Sequence, residues 1–239
     1  MRPAAGPAAP PAAGGGAVGR GGPRRLAVLV AASAALVVGC SPAPTAGAGT
    51  ASAALDELDV RPAASAGGYD RDLFGDGWVD VDGDGCRTRE QVLRRDLREV
   101  QVRPGTGGCV VESGVLLDPY TGVVVDFRRG ERTSEEVQVD HVVALAAAWR
   151  TGAAGWDRAT REDFANDLVN LLAVDGDANQ DKGSQDAAAW LPAREAARCP
   201  YAARQVAVKV AYGLWVTEAE HDALADVLAG CPDEPLPTR

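Results

Sequence analysis

The chain has 239 residues and a formal charge of −10, with 24 lysines and arginines against 34 acids. That balance runs against the basic footprint that nucleic-acid binders normally carry. No Cys-x-x-Cys, Cys/His cluster, Gly-x-Ser-x-Gly or His-Glu-x-x-His occurs, which argues against a zinc centre, a serine hydrolase and a zinc protease.

Residues 1–25 are rich in Ala, Gly and Pro and hold Arg20, Arg24 and Arg25 but no acid. An apolar run from Leu26 to Val38 follows, about 13 residues against the ~20 that span a bilayer. Basic, apolar and small-residue regions in that order make an export signal over residues 1–39. Leu36-Val-Val-Gly-Cys40 resembles a bacterial lipobox, with Cys40 as the lipidated residue and the outer face of the cytoplasmic membrane as its place. Removing residues 1–39 leaves a charge of about −14. Residues 40–68 read as a flexible Ala/Gly/Pro tether. Residues 69–231 are long enough for a single domain with one core, and 232–239 read as a disordered tail.

Cys86, Cys109, Cys199 and Cys231 remain after Cys40, and an even number in an exported chain suggests two disulfides. Four cysteines allow three pairings. Each of the pairs Cys86–Cys109 and Cys199–Cys231 sits within one compositional block, so these are the pairings expected.

Trp78 opens the domain with Tyr69–Gly75, and Asp80-Val-Asp-Gly-Asp-Gly85 follows. The latter resembles the start of a calcium loop, but position 12 is Gln91 where a bidentate Glu is needed. A rigid acidic turn ahead of the next helix is the simpler reading. Thr88 to Gln91 fits a capping box, with a helix from Arg89 to about Val100 whose arginines 94, 95 and 98 face away from Val92, Leu93 and Leu97. Val110–Leu117 and Val123–Phe127 form a hairpin around Asp118-Pro-Tyr-Thr-Gly122. Arg128, Arg129 and Arg132 lie in a loop and are the local cations available for phosphate. Glu135–Val143 is a strand, and the chain turns helical to Arg150. Trp156 and Phe164 are core anchors. Asp167–Val174 holds a short strand, and Asn179 to Lys182 opens a helix, where residues three apart share a face. Helices over Tyr201–Trp215 and from Thr217 to about Ala229 close the domain, with His221 facing solvent.

Val137-Gln-Val-Asp-His-Val-Val-Ala-Leu145, Phe164-Ala-Asn-Asp167, Asn170-Leu-Leu-Ala-Val174 and Asn179-Gln-Asp-Lys-Gly183 carry the chemistry. In this order they resemble the HNH-type endonucleases, in particular an exported bacterial group with an Asp-His-Val-Val core. The resemblance covers most of 69–231. It implies an α+β fold: a ββα-metal finger embedded in a mostly helical single domain with two disulfides. It also implies a monomeric, metal-dependent nuclease acting on nucleic acid, with DNA favoured.

His141 suits a general base because its ordinary pKa lies near neutrality. Asp140 and Asn179 offer hard oxygens to one Mg²⁺ or Mn²⁺. The resemblance gives Asn170 a role in orienting the loop or the imidazole, and puts Lys182 near the phosphate or behind the metal ligands. The last position departs from the strict His-Asn-His pattern, since Asn179 stands there instead of histidine. Asn166 is the other candidate for that ligand; the spacing past Asn170 favours Asn179. The competing reading is a non-catalytic calcium- or cell-wall-binding lipoprotein built on Asp80–Gly85, which accounts for the acidity but not for the spaced asparagines.

Overall fold

The computed structural model describes residues 49–130 and 133–237. The signal segment, Cys40 and Arg132 lie outside the described residues.

Two small sheets and seven α-helices make up the described fold, an α+β architecture. Helix α1, Ala51–Asp56, is capped by Thr50 and buries Ala51 and Leu55. Helix α2, Thr88–Asp96, leads directly into strand β1, Leu97–Val102. Strands β2, Val111–Leu117, and β3, Val124–Arg128, complete an antiparallel sheet in the order β1-β2-β3. Strand β4, Val137–His141, pairs antiparallel with β5, Leu171–Asp175. Helices α3, Leu145–Arg150, and α4, Arg158–Ala165, fill the connection between them. Helix α5, Gly176–Lys182, follows β5 without a gap, so β4, β5 and α5 form a strand–strand–helix unit. Helices α6, Arg198–Tyr212, and α7, Glu218–Ala229, pack against it from the C-terminal side.

The β5–α5 junction has a clear steric cause. A Cβ at Gly176 would sit 2.2 Å from the Glu135 carbonyl oxygen, so only glycine lets β5 pass so close to the start of β4. Asp175 then caps α5 by accepting from the Ala178 N–H at 3.0 Å. Asp118, fully buried in the β2–β3 turn, accepts from Asp175 N at 2.8 Å and from Thr121 N and Oγ1 at 2.6 Å each. One carboxylate therefore ties the hairpin of the first sheet to the helix start of the second unit.

Both expected disulfides are present, Cys86–Cys109 and Cys199–Cys231. Three expectations need correction. The segment read as a tether is packed down from Thr50 onward: Leu55 is buried, Arg61 N donates to Val216 O, and Ala64 N donates to Arg150 O. The segment read as a disordered tail pairs with it. Ala51 N donates to Glu234 O at 2.8 Å, Thr50 bridges Pro235, and Leu236 packs on the α1–α7 core. A few well-spaced apolar residues in an Ala-rich stretch are enough when two chain ends cover one another.

The third correction concerns α2. It stops at Asp96, and residues 97–102 form a strand with a register shift at Glu99, whose φ is +52°. Pairing with β2 overrides the helical pattern. Thr88 is the first helical residue and not a side-chain cap; its hydroxyl lies 2.6 Å from Val79 O and 2.9 Å from Asn166 Oδ1, with one proton to share between the two acceptors.

Candidate active site

Asp140 and His141 end strand β4, and both are buried. Asp140 Oδ2 accepts from the Tyr120 hydroxyl at 2.6 Å, and Oδ1 accepts from Lys182 Nζ at 2.9 Å. Lys182 is fully buried on α5 and also donates to the His141 carbonyl at 2.9 Å. A buried charge needs a partner, and here the carboxylate and the ammonium supply one another. Burial and the neighbouring carboxylate push the Tyr120 hydroxyl far above its ordinary pKa, so it stays a proton donor to Asp140.

His141 Nε2 lies 2.8 Å from the Ala165 carbonyl oxygen. A carbonyl can only accept, so Nε2 carries the proton and Nδ1 keeps the lone pair. Trp78 stacks on the imidazole with ring centroids 5.7 Å apart and planes 10° from parallel. Burial is the largest influence on the ring and lowers its pKa to about 4; Arg71 and Lys182 push the same way, while the Ala165 bond and Asp140 oppose them. The imidazole is therefore neutral at pH 7, with an unprotonated Nδ1.

Asn170 is fully buried and clamps the turn that follows β4. Its Oδ1 accepts from Val143 N at 2.8 Å, its Nδ2 donates to Val143 O at 3.3 Å, and its own carbonyl accepts from Val142 N. It holds the turn; the imidazole itself is held by Ala165 and Trp78. Asn179 on α5 donates through Nδ2 to Gln138 Oε1 at 2.8 Å, which leaves its Oδ1 as an acceptor. Asn166 belongs elsewhere: its amide bonds Val79 N, Thr88, Gly77 O and Glu162 O, latching the Gly77–Thr88 loop onto α4.

Asp140, His141, Asn179, Gln138 and Arg71 border one cavity of about 260 Å³. Each oxygen of Asp140 holds a second lone pair beyond the bond it already accepts. With Asn179 Oδ1 this gives three hard oxygens, on two residues, beside a neutral histidine. By its chemistry that donor set could hold one hard divalent cation. Lys182 would share the carboxylate with it.

Not every anticipated residue is brought here. Arg129 forms a two-pronged tie to Glu90 at 2.6 and 2.7 Å and donates to Val111 O, so it braces β3 against α2 instead of facing phosphate. Arg128, at the end of β3, does not border this cavity. On α2, Arg94 reaches Gly108 O, and Arg95 reaches Asp96 and the Leu168 and Leu171 carbonyls. The arginine at the site is Arg71, exposed at the edge of this cavity. Asp80, Asp82 and Asp84 bring carboxylate oxygens within 4.8 Å of one another at the surface, but they accept from amides of their own loop. His221 sits on α7 beside Asp222, remote in sequence from every residue of the site.

Sequence reasoning missed Tyr120, Trp78, Arg71 and the Ala165 carbonyl. A tyrosine in a Pro-Tyr-Thr-Gly turn carries no signal of this by itself; only the fold shows Tyr120 fully buried and reaching across to another element.

Residues 87–227 match the family model for the C-terminal domain of GmrSD restriction endonucleases. The chain is also 41% identical over 186 residues to an uncharacterized secreted protein of Arthroderma benhamiae (strain ATCC MYA-4681 / CBS 112371). That alignment covers 77% of this chain and 86% of the relative.

Proposed function

The chain belongs to the family of the GmrSD restriction endonuclease C-terminal domain, and from that premise we propose that it is an HNH-type, metal-dependent endonuclease. The observation that carries the reading is the neutral, buried His141, with Nδ1 unprotonated, bordering the same cavity as Asp140 and Asn179 on a strand–strand–helix unit.

In this reading His141 Nδ1 takes the proton from the attacking water, and the Ala165 carbonyl and Trp78 keep the ring in the tautomer and orientation that allow it. Asp140 and Asn179 would hold one Mg²⁺ or Mn²⁺, which would supply a Lewis acid for the phosphate and the leaving oxygen. Tyr120 and Lys182 fix the Asp140 carboxylate. Asn170 positions the turn behind His141. Arg71, in place of Arg128 and Arg129, meets the phosphodiester. DNA is the proposed substrate.

We place the enzyme outside the cytoplasm. The export signal, the two disulfides and the secreted relative all support this. Cys40 is the proposed lipid anchor, and Cys40→Ser should release the protein from the membrane fraction into the medium; unchanged partition refutes the anchor. The nuclease reading is tested by incubating plasmid DNA, single-stranded DNA and RNA with the purified protein, EDTA, and Mg²⁺ or Mn²⁺ added back. Cleavage restored by the ion supports it, and no cleavage with any divalent ion overturns it.

A further inference from the structure

Trp78 and His141 also border a second cavity, of about 510 Å³, which Asp140 and Asn179 do not reach. Its walls include Phe74, Leu145, Arg71, Asp72 and Asp76. The size falls within the range of small-molecule sites, and so does the mixture of aromatic surface with a few polar groups. None of the steps above uses this space.

The wall carrying Trp78 is preformed. Gly75 and Gly77 have φ of +101° and +106°, turning the chain where other residues would be strained. Asn166 holds the backbone on both sides of Trp78, at Gly77 O and Val79 N. The Cys86–Cys109 disulfide pins the far end of the loop.

We propose that this cavity receives one unstacked nucleobase beside the scissile phosphate, with Asp72 and Asp76 accepting its N–H donors, so that the substrate is a single-stranded nucleic acid. The proposal rests on the nuclease reading of the His141 site. His141, Arg71 and Leu145 border both cavities, so a phosphate met by His141 and Arg71 places its neighbouring nucleoside at this opening. In a duplex that base is stacked and paired and cannot enter without being extruded. Carboxylates suit the exocyclic amino and ring N–H donors of bases and repel phosphate. Asp76 also meets Arg158 at 3.3 Å, which leaves it lone pairs to offer.

The charge of the molecule points the same way. Duplex binding draws chiefly on many phosphate contacts. This chain carries −10, and Arg94, Arg95, Arg103 and Arg129 are engaged by its own carboxylates or carbonyls. Stacking of a single base on an aromatic face adds affinity beyond what phosphate contacts supply.

The test uses end-labelled single strands of DNA and of RNA, the same strands annealed to complements, and strands with one abasic residue placed at successive positions. With Mg²⁺ or Mn²⁺ the parent should cut single strands roughly tenfold or more faster than duplex, and an abasic residue should suppress cutting at the adjoining phosphate by roughly tenfold, mainly through KM. Comparable rates on single strand and duplex, or normal cutting beside the abasic residue, overturn the proposal. The Asp72→Asn/Asp76→Asn double variant should change the ranking of bases next to the cut; an unchanged ranking overturns the assignment of the two carboxylates.

A binding arm separates this proposal from the reading beneath it. His141→Ala should bind the intact single strand more tightly than the duplex or the abasic strand, as read by fluorescence anisotropy. That preference in a protein whose parent cuts nothing would sink the nuclease reading and keep the base cavity. Equal binding to all three overturns the cavity while leaving any observed cleavage in place.

Discussion

The Tyr120 hydroxyl donates to Asp140 Oδ2 at 2.6 Å, a buried bond between the turn of one sheet and the end strand of the other. Removing the hydroxyl leaves a buried carboxylate oxygen short of a donor. Tyr120→Phe should lose about 2 kcal/mol of stability in urea unfolding and weaken divalent-ion affinity while leaving the circular dichroism spectrum unchanged. Parent-like ion affinity in a folded Tyr120→Phe would show that the hydroxyl plays no part in presenting Asp140.

Lys182 and Asp140 form a buried ion pair, and breaking one side of such a pair is expensive. Lys182→Met should destabilise the protein by ~3–5 kcal/mol, visible as a large fall in Tm. Adding Asp140→Asn removes the stranded charge, so the double variant should regain part of that stability while remaining inactive. A double variant no more stable than Lys182→Met alone would contradict the coupling.

His141 links activity to acid stability. Its folded-state pKa, about 4, lies below the ordinary 6.5. Between these values the unfolded chain binds a proton that the folded chain refuses, so stability falls as pH drops from about 6.5 to about 4 and changes no further on this account below that. The full loss is roughly 3 kcal/mol. His141→Gln should flatten this part of the stability–pH curve and lower the cleavage rate ~10²–10⁴-fold. In the parent, the His141 contribution to the rate should rise through about pH 4 and be level near neutrality. Unfolding curves at pH 7, 6, 5 and 4 check the first claim, and single-turnover rates check the second.

The two disulfides should differ in what they protect. Each closes a loop whose entropy is worth about 3–4 kcal/mol, so Cys86→Ser/Cys109→Ser and Cys199→Ser/Cys231→Ser should lower stability by similar amounts. Only the first pair ends the loop that carries Trp78 onto His141. Well below its unfolding midpoint, that variant should show the larger loss of cleavage. Equal losses in the two variants would separate the Trp78 loop from catalysis.

Arg71 and Arg129 give a clean contrast. Arg71→Ala should raise KM for nucleic acid and weaken its salt dependence at parent-like stability. Arg129→Ala should instead cost about 2 kcal/mol of stability through its tie to Glu90, with little change in KM. The reverse outcome would restore Arg129 as the phosphate contact.

Much of the frame was legible in the sequence, because it follows from local rules. Alternating valines mark β4 and put Asp140-His141 on it, although the strand read over 135–143 is Val137–His141 in the fold. Pro and Gly mark the β2–β3 hairpin, and Thr217 caps α7 by accepting from Glu220 N. Cysteine blocks led to the two disulfides, and Asn179 to Lys182 fell on the helix after β5. What meets these residues was decided only by the tertiary structure. Tyr120 reaches Asp140 from 20 residues upstream, Lys182 from 42 residues downstream, and Trp78 is stacked on His141 by an asparagine latch from α4. Arg129 was drawn to Glu90, and the Ala-rich segment beyond Thr50 was covered by the other chain end. A capping box or an alternation is satisfied within a few residues of chain. A buried hydroxyl, ammonium or carboxylate must instead find whatever partner the packing of two sheets and their helices brings within about 3 Å, and no local window of sequence contains that partner.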